Sequence, residues 1–371
     1  MNHHTQVCID LRAFETNIRF FRSLLASPCR LCAVVKADAY GHGLKLLAPV
    51  ALEAGADCLG IVDNWEAELI RNLNLSGPLI RLRPATAEEV REAAAWGIEE
   101  VVGSYESACA FAQLGRDRRT PVPVHLKLDI GINRMSFSFP HHREIIEQVC
   151  RMEGLAVRGV MTHFPVSDED DLTVTLDQLN RFERETRALA PCLPSGTLIH
   201  AANSAACLRI PQSRLSMVRL GIALYGQNPS PCVKLPPVLQ PVMSWKTRIV
   251  LIRTVPQAST IGYGMTYQTV QSQRIATLPV GYADGYVRTP SYRLEVLIRG
   301  VRCPVVGRVS MDMTTVDVTH VPEVQEGDEV VLMGRQGSEQ ITTDELACNA
   351  GTISYEITCR IGSCTRNRFA I

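Results

Sequence analysis

Between residues 10 and 235 the chain alternates, eight times over, a short β-rich run with a segment of helical period. That rhythm leaves few architectures open. The candidate strands are Cys32–Lys36, Cys58–Val62, Leu79–Leu82, Val101–Gly103, Val122–Leu128, Val157–Thr162, Thr197–Ala201 and Met217–Leu220. Helical patterns such as Thr86–Trp96 and Leu172–Leu189 lie between them. Ahead of the first strand, Asp10 can cap a helix in which Leu11, Phe14, Ile18, Phe21 and Leu25 recur at spacings of three and four, the stripe of an amphipathic helix. Parallel strands with right-handed helical crossovers over this length predict a (β/α)8 TIM-type barrel; the other solution is an open doubly wound sheet, which usually needs fewer units. A barrel carries its chemistry at the C-terminal ends of its strands. Lys36 ends the first predicted strand, Lys127 lies near the end of VHLKLD, and His163 follows GVMT.

Near Leu235-Pro236-Pro237-Val238-Leu239-Gln240-Pro241 the rhythm changes. The runs Trp245–Val255, Arg274–Val280, Leu294–Ile298, Thr314–Val318 and Glu329–Met333 are β-rich and show no helical period, which predicts a second, mainly antiparallel β domain. The reading is therefore a barrel over residues 10–235 and a mainly β domain over 236–371, which the N-terminal strand within 1–9 joins.

Composition excludes several classes of function. Lys+Arg and Asp+Glu both number 38, so the chain has no net formal charge and no footprint of a nucleic-acid binder. The opening MNHHTQVCIDLRAF lacks a basic start followed by an apolar stretch, and no segment offers about 18 uninterrupted apolar residues. A soluble cytoplasmic protein acting on a small molecule is expected. Thirteen scattered cysteines suit a reducing compartment better than a disulfide framework. The lone CxxC of Cys29 and Cys32 has no second pair, and Cys32 opens an apolar strand, so it reads as packing rather than as a metal or redox site. His3–His4 reads as a pair of terminal histidines, and no metal is expected.

The segment Val34-Val35-Lys36-Ala37-Asp38-Ala39-Tyr40-Gly41-His42-Gly43 carries the sharpest chemical signal. A lysine closing an apolar strand either snorkels to solvent or is a desolvated amine that forms an imine with a carbonyl compound. Gly41 and Gly43 would let backbone approach a ligand closely. The residues alone leave both readings open.

VVKADAYGHG resembles the cofactor-lysine segment of the alanine racemase family, whose cofactor is pyridoxal 5'-phosphate (PLP). Segments matching that family follow in its order: HLKLDIGINRMSF, THF, HAANSAA, VRLGIALYG, TIGYGMTY, VGYADGY, GRVSMDM and TISYE. Together they span residues 34–356. The resemblance implies that Lys36 holds PLP as a Schiff base and serves as one proton-transfer group, and that Tyr263 serves the opposite face, since racemisation of a planar carbanion needs a donor on each side. It implies that Ser204, Gly221, Ile222 and Tyr355 meet the phosphate, Ser204 as the cap of a short helix, and that Tyr40 and His163 lie at the cofactor. Arg219 matches the arginine facing the pyridine nitrogen. Arginine donates and does not accept, so that nitrogen stays unprotonated and the ring is a weaker electron sink, which favours racemisation over transamination. Arg134 and Met311 match substrate-side positions, and Lys127 matches a lysine commonly carbamylated in the family. The implied protein is a homodimer with shared active sites that interconverts L- and D-alanine for cell-wall supply or D-alanine breakdown.

The sequence departs from the family's usual pattern at Asp129-Ile130-Gly131, at Arg134-Met135-Ser136, at Asp63 and Trp65, and at Ser310. These positions lie near substrate segments and put the preferred amino acid in doubt, a serine or broad-range racemase being the near alternative. A PLP decarboxylase of related architecture typically places an acid where Arg219 stands. A PLP-binding protein on a lone barrel leaves Tyr263 and Met311 without a role.

Overall fold

The computed structural model describes residues 5–137, 142–288, 294–365 and 368–371. His3 and His4 lie outside them. The chain divides into two compact units: Phe14–Ala39 with Leu44–Leu239, and Met1–Ala13 with Tyr40–Gly43 and Gln240–Ile371.

The first unit is a closed barrel of eight parallel strands. A short strand, β1 (Gln6–Ile9), precedes them and belongs to the other unit. The barrel strands are β2 (Arg30–Val34), β3 (Cys58–Ile61), β4 (Leu79–Arg81), β5 (Ile98–Val102), β6 (Val122–Lys127), β7 (Leu155–Met161), β8 (Leu198–His200) and β9 (Met217–Leu220). Strand β9 pairs with β2 and closes the ring. The expected barrel is the observed one. Cys32, Cys58, Ile80 and Met217 form one apolar cluster of buried side chains on four of these strands, so Cys32 belongs to the barrel core.

Local chemistry sets the helix starts. The Asp10 carboxylate accepts the Ala13 N–H at 2.9 Å and caps Leu11–Leu24, whose Phe14, Ile18 and Phe21 are buried. Thr86 and Glu89 form a reciprocal capping box at Ala87–Glu92, which tightens into a 3-10 turn over Ala93–Trp96.

The second unit is built on a seven-stranded sheet and a three-stranded one. Its strands are β10 (Met243–Arg248), β11 (Leu251–Val255), β12 (Thr260–Ile261), β13 (Tyr267–Gln268), β14 (Gln273–Leu278), β15 (Glu295–Ile298), β16 (Val301–Pro304), β17 (Thr314–Asp317), β18 (Glu329–Gln336), β19 (Glu339–Ile341) and β20 (Arg368–Ala370). The larger sheet runs β16-β15-β18-β10-β1-β20, with β19 on β18; β11, β14 and β17 form the smaller sheet, and β12 pairs with β13. Strand β1 is antiparallel to β10 and parallel to β20.

The mainly β expectation for this unit is borne out, and one detail of it is corrected. The run Trp245–Val255 is two strands, because the Ile249 N–H goes to Asp328 O while the next N–H, of Val250, goes to Thr277 O, and the chain changes sheets between them. The C-terminal part also contains helices, Thr343–Ala350 and Ser354–Cys364. The Thr342 hydroxyl caps the first by accepting the Glu345 N–H, and Gly351 ends it in the left-handed region at φ 68°.

Candidate active site

Strand β2 ends at Val34, two residues before Lys36, which corrects the expectation that the lysine closes the strand. The Tyr225 hydroxyl donates to Val34 O at 2.9 Å and holds that strand end. Lys36 instead opens a left-handed helical turn in which Ala37, Asp38, Ala39 and Tyr40 all have φ of 53–55°. Four consecutive non-glycine residues in this region are strained at roughly 1–2 kcal/mol each and persist only where their surroundings over-determine them. Two carboxylates do so. Glu66 Oε1 accepts the Ala37 N–H at 2.7 Å while its Oε2 accepts those of Val62 at 2.7 Å and Asp63 at 3.2 Å. Asp38 accepts the Leu44 N–H at 2.7 Å. Burial pushes the Glu66 carboxyl above its ordinary value, against the opposing pull of those three backbone donors.

Around Lys36, the barrel gathers cations. Lys127, at the end of β6, is almost fully buried, and its amine is pushed down to about 8, first by burial and then by the charges of Arg219 and Arg134, with Lys36 adding to the same effect. His163 is held well below its usual value by burial and by Arg219, Lys127, Arg134 and Lys36, so it is neutral at physiological pH. Arg134 itself is exposed. Its loop is folded by Asp129, which accepts the Gly131 N–H at 2.7 Å, the Asn133 N–H at 3.2 Å and the Ser136 hydroxyl at 2.7 Å. Ser136, one of the departures from the family's pattern, is thus bonded into the loop. Gly103 leaves room for it, since a Cβ there would stand 2.8 Å from Ser136 N.

Arg219, in β9, is buried, which pulls its guanidinium down to about 10. One terminal nitrogen donates to His200 Nδ1 at 2.8 Å; the other donates to Thr162 O at 2.6 Å and Ala201 O at 3.1 Å, and lies 3.4 Å from His163 Nδ1. These contacts hold the guanidinium plane by its far edge. Among the described residues, its Nε has no hydrogen-bond partner, which leaves that N–H to donate to a ligand atom.

Ser204 does not cap its helix. Asn203 does, accepting the Ala206 N–H at 2.9 Å, and Ser204 is the first helical residue. The Ser204 oxygen accepts the N–H groups of Gly221 at 3.1 Å and Ala223 at 3.4 Å, which leaves its own O–H to donate. Ile222, buried, opens the 3-10 turn Ile222–Tyr225 that follows. A lysine amine, a donor-only guanidinium Nε and the Ser204 hydroxyl, itself oriented by the Gly221 and Ala223 amides, are donors that suit a phosphorylated pyridine aldehyde.

The remaining predicted site residues lie in the other unit. Tyr40 is buried with its ring centroid 6.0 Å from that of Tyr355. Gly41 follows at φ 80°, and a Cβ there would stand 2.2 Å from Thr358 O, so only glycine fits between this segment and the helix Ser354–Cys364. Tyr263 lies between Gly262 and Gly264, both at positive φ, and is 72% exposed. Met311, also exposed, sits in a loop whose backbone oxygen accepts the Ala283 N–H at 2.8 Å. Sequence reasoning assigned no role to His125, His200, Thr162 or Glu66. His125 and His200 each open a motif segment, and a histidine inside a barrel strand was the available signal.

Among the described residues no group of side chains is arranged to hold a metal ion, and no helix is long and apolar enough to cross a membrane. Comparison with known proteins gives a consistent result. The family described as alanine racemase, N-terminal domain, matches residues 9–229, and alanine racemase, C-terminal domain, matches residues 242–369. The chain is 41% identical over 366 residues to an alanine racemase of Syntrophobacter fumaroxidans, covering 99% of this chain and 96% of the relative. It is 39% identical over 341 residues to a broad specificity amino-acid racemase of Pseudomonas taetrolens, covering 91% and 82%. The fold superposes with a TM-score of 0.88 on the crystal structure of an alanine racemase from Bartonella henselae with covalently bound pyridoxal phosphate, at 26% identity and full coverage of both chains.

Proposed function

The chain belongs to the alanine racemase family, and from that premise we propose that it interconverts L- and D-alanine with PLP, using Lys36 and Tyr263 as its two proton-transfer groups. The observation that carries the reading is Arg219, held by its terminal nitrogens with Nε left to donate. When bound, PLP supplies an electron-withdrawing ring that acidifies the Cα–H of the attached amino acid. Arg219 donates at the ring nitrogen and cannot accept, so it limits how far charge spreads from Cα. The Lys36 amine takes or returns the proton on one face of Cα, and the Tyr263 hydroxyl does so on the other.

His163, held neutral, would lie beside the cofactor without adding charge there. Ser204 O–H, the Ile222 backbone and the hydroxyls of Tyr40 and Tyr355 would hold the cofactor, whereas the Gly221 N–H, expected to join them, is taken by the Ser204 oxygen. Arg134 and the backbone of Met311 take the substrate carboxylate. Lys127, neutral in part near pH 8, adds CO2 to give a carbamate and one released proton, and the resulting anion pairs with Arg134 instead of repelling it. The exposure of Tyr263 suits a residue that completes the site of a second copy, so the working protein is a homodimer. Its place is the cytoplasm, supplying D-alanine for cell walls or breaking it down.

A broader amino-acid range is the second reading. The Ile130 and Ser136 departures in the loop that carries Arg134 favour it, as does the similarity to a broad specificity racemase.

Borohydride reduction of the holoenzyme followed by peptide mapping tests the cofactor assignment, because hydride turns an imine into a stable secondary amine. The label is expected on Lys36. A label on Lys127 or another lysine contradicts the reading.

A further inference from the structure

Beneath Arg219 a chain of buried polar contacts runs to the far end of the barrel. His200 Nε2 lies 2.9 Å from His125 Nδ1, and His125 Nε2 lies 2.7 Å from Glu99 Oε2. Both histidines are fully buried, and Glu99, the second residue of β5, keeps its side chain 20% exposed.

We propose that Glu99, His125 and His200 act as positioning residues that fix the orientation of Arg219 through a single permitted arrangement of hydrogen-bond polarity. Arginine only donates, so the Nδ1 of His200 must be a bare acceptor and its proton must sit on Nε2. That proton is directed at His125 Nδ1, which must accept, and the His125 proton must sit on Nε2. There it meets a carboxylate that only accepts. Reversing the chain sets the Nδ1–H of His200 against the N–H of Arg219, and leaves His125 Nε2 and the carboxylate as facing acceptors. Burial and the neighbouring charge of Arg219 hold His200 well below its usual value, which keeps it neutral as the arrangement requires. The inference rests on the reading that Arg219 faces the cofactor.

Gly159 is independent evidence that the contact between the imidazoles is built into the fold. A Cβ on this residue of β7 would stand 2.2 Å from His125 Nδ1 and 3.1 Å from His200 Nε2. Its φ lies outside the left-handed region, so the backbone does not call for glycine. Glycine weakens a strand interior, and what it provides here is room for the two rings to meet.

The test is long-range proton–nitrogen NMR on holoenzyme labelled with 15N-histidine, signals being assigned by single histidine substitutions. Both His125 and His200 are expected as neutral Nε2–H tautomers. Glu99→Gln, which can still accept through its amide oxygen, is expected to keep both tautomers and kcat within about threefold of wild type, whereas Glu99→Leu is expected to give a second His125 tautomer and lower kcat about tenfold with little change in KM. Gly159→Ala is expected to separate the imidazole signals from their wild-type positions. An Nδ1–H tautomer of either histidine in the wild-type holoenzyme overturns the proposal whether or not the variants fold, as does wild-type kcat in a folded Glu99→Leu enzyme. The expected tautomers in a protein without racemase activity would support the relay while removing the functional reading on which its purpose rests.

Discussion

Glu66 Oε1 accepts the N–H of Ala37 at 2.7 Å, so a carboxylate beyond β3 fixes the first strained residue after Lys36. The same carboxylate takes the N–H groups of Val62 and Asp63. Glu66→Ala leaves these three donors without their acceptor. It is expected to lower unfolding stability by about 3 kcal/mol, and to weaken PLP binding about tenfold as the lysine loses its fixed geometry. Urea unfolding and cofactor titration read the two effects. An unchanged unfolding midpoint would show that the left-handed turn is held by something else.

Lys127 links pH to stability and, under the proposed carbamylation, to modification. Its folded value, about 8, lies below that of an unfolded lysine, so the unfolded chain binds more protons between them. For the unmodified amine the cost to stability is therefore full below about pH 8 and is relieved as pH rises toward the ordinary lysine value near 10.4. Carbamylation removes the same cost by replacing the cation with an anion. Added bicarbonate is expected to raise the thermal midpoint at pH 8, and native mass spectrometry is expected to find one CO2 per chain. Lys127→Met should abolish both responses; a bicarbonate effect that survives in this variant would place the modification elsewhere.

The exposed Tyr263 gives a test of site sharing. Lys36→Ala and Tyr263→Ala homodimers are each expected to be nearly inactive, because in the proposed mechanism each group serves one face of Cα. After subunit exchange a mixed dimer has one site lacking both groups and one carrying both, so activity should return on mixing. If both residues came from one chain, every site would lack one of them. Persistent inactivity, once native mass spectrometry has verified the exchange, would refute a shared site.

The barrel was legible because its strands are short apolar runs bounded by helical periods, a local pattern that closure of the sheet then uses directly. The geometry after Lys36 was not. Ala37-Asp38-Ala39-Tyr40 has no local preference for positive φ, and the carboxylate that imposes it comes from residue 66. Ser204 shows the limit of a local rule: Asn203 and Ser204 are both good caps, and the Gly221 and Ala223 amides that engage Ser204 arrive from the next strand unit. At Arg248-Ile249-Val250 the run is continuous in sequence, and only the separate partners Asp328 and Thr277 divide it between sheets. The helix after Thr342 did carry a signal, Thr342 followed by Glu345 at capping spacing, within a stretch otherwise read as β. Of the candidate site, Lys127 and His163 could be found as chemistry at strand ends and Arg219 through the resemblance, whereas the polarity of His125 and His200 depends on each other and on partners from two further strands, Glu99 in β5 and Arg219 in β9.

Whether this chain racemises alanine is tested most directly by incubating the purified holoenzyme with separate L-amino acids, followed by chiral chromatography. L-Alanine is expected to approach equal amounts of its two enantiomers, and D-alanine to approach the same mixture from the other side. Racemisation of serine or other amino acids in preference to alanine would contradict the assigned substrate, and L-alanine left unchanged by PLP-loaded enzyme would contradict the account itself.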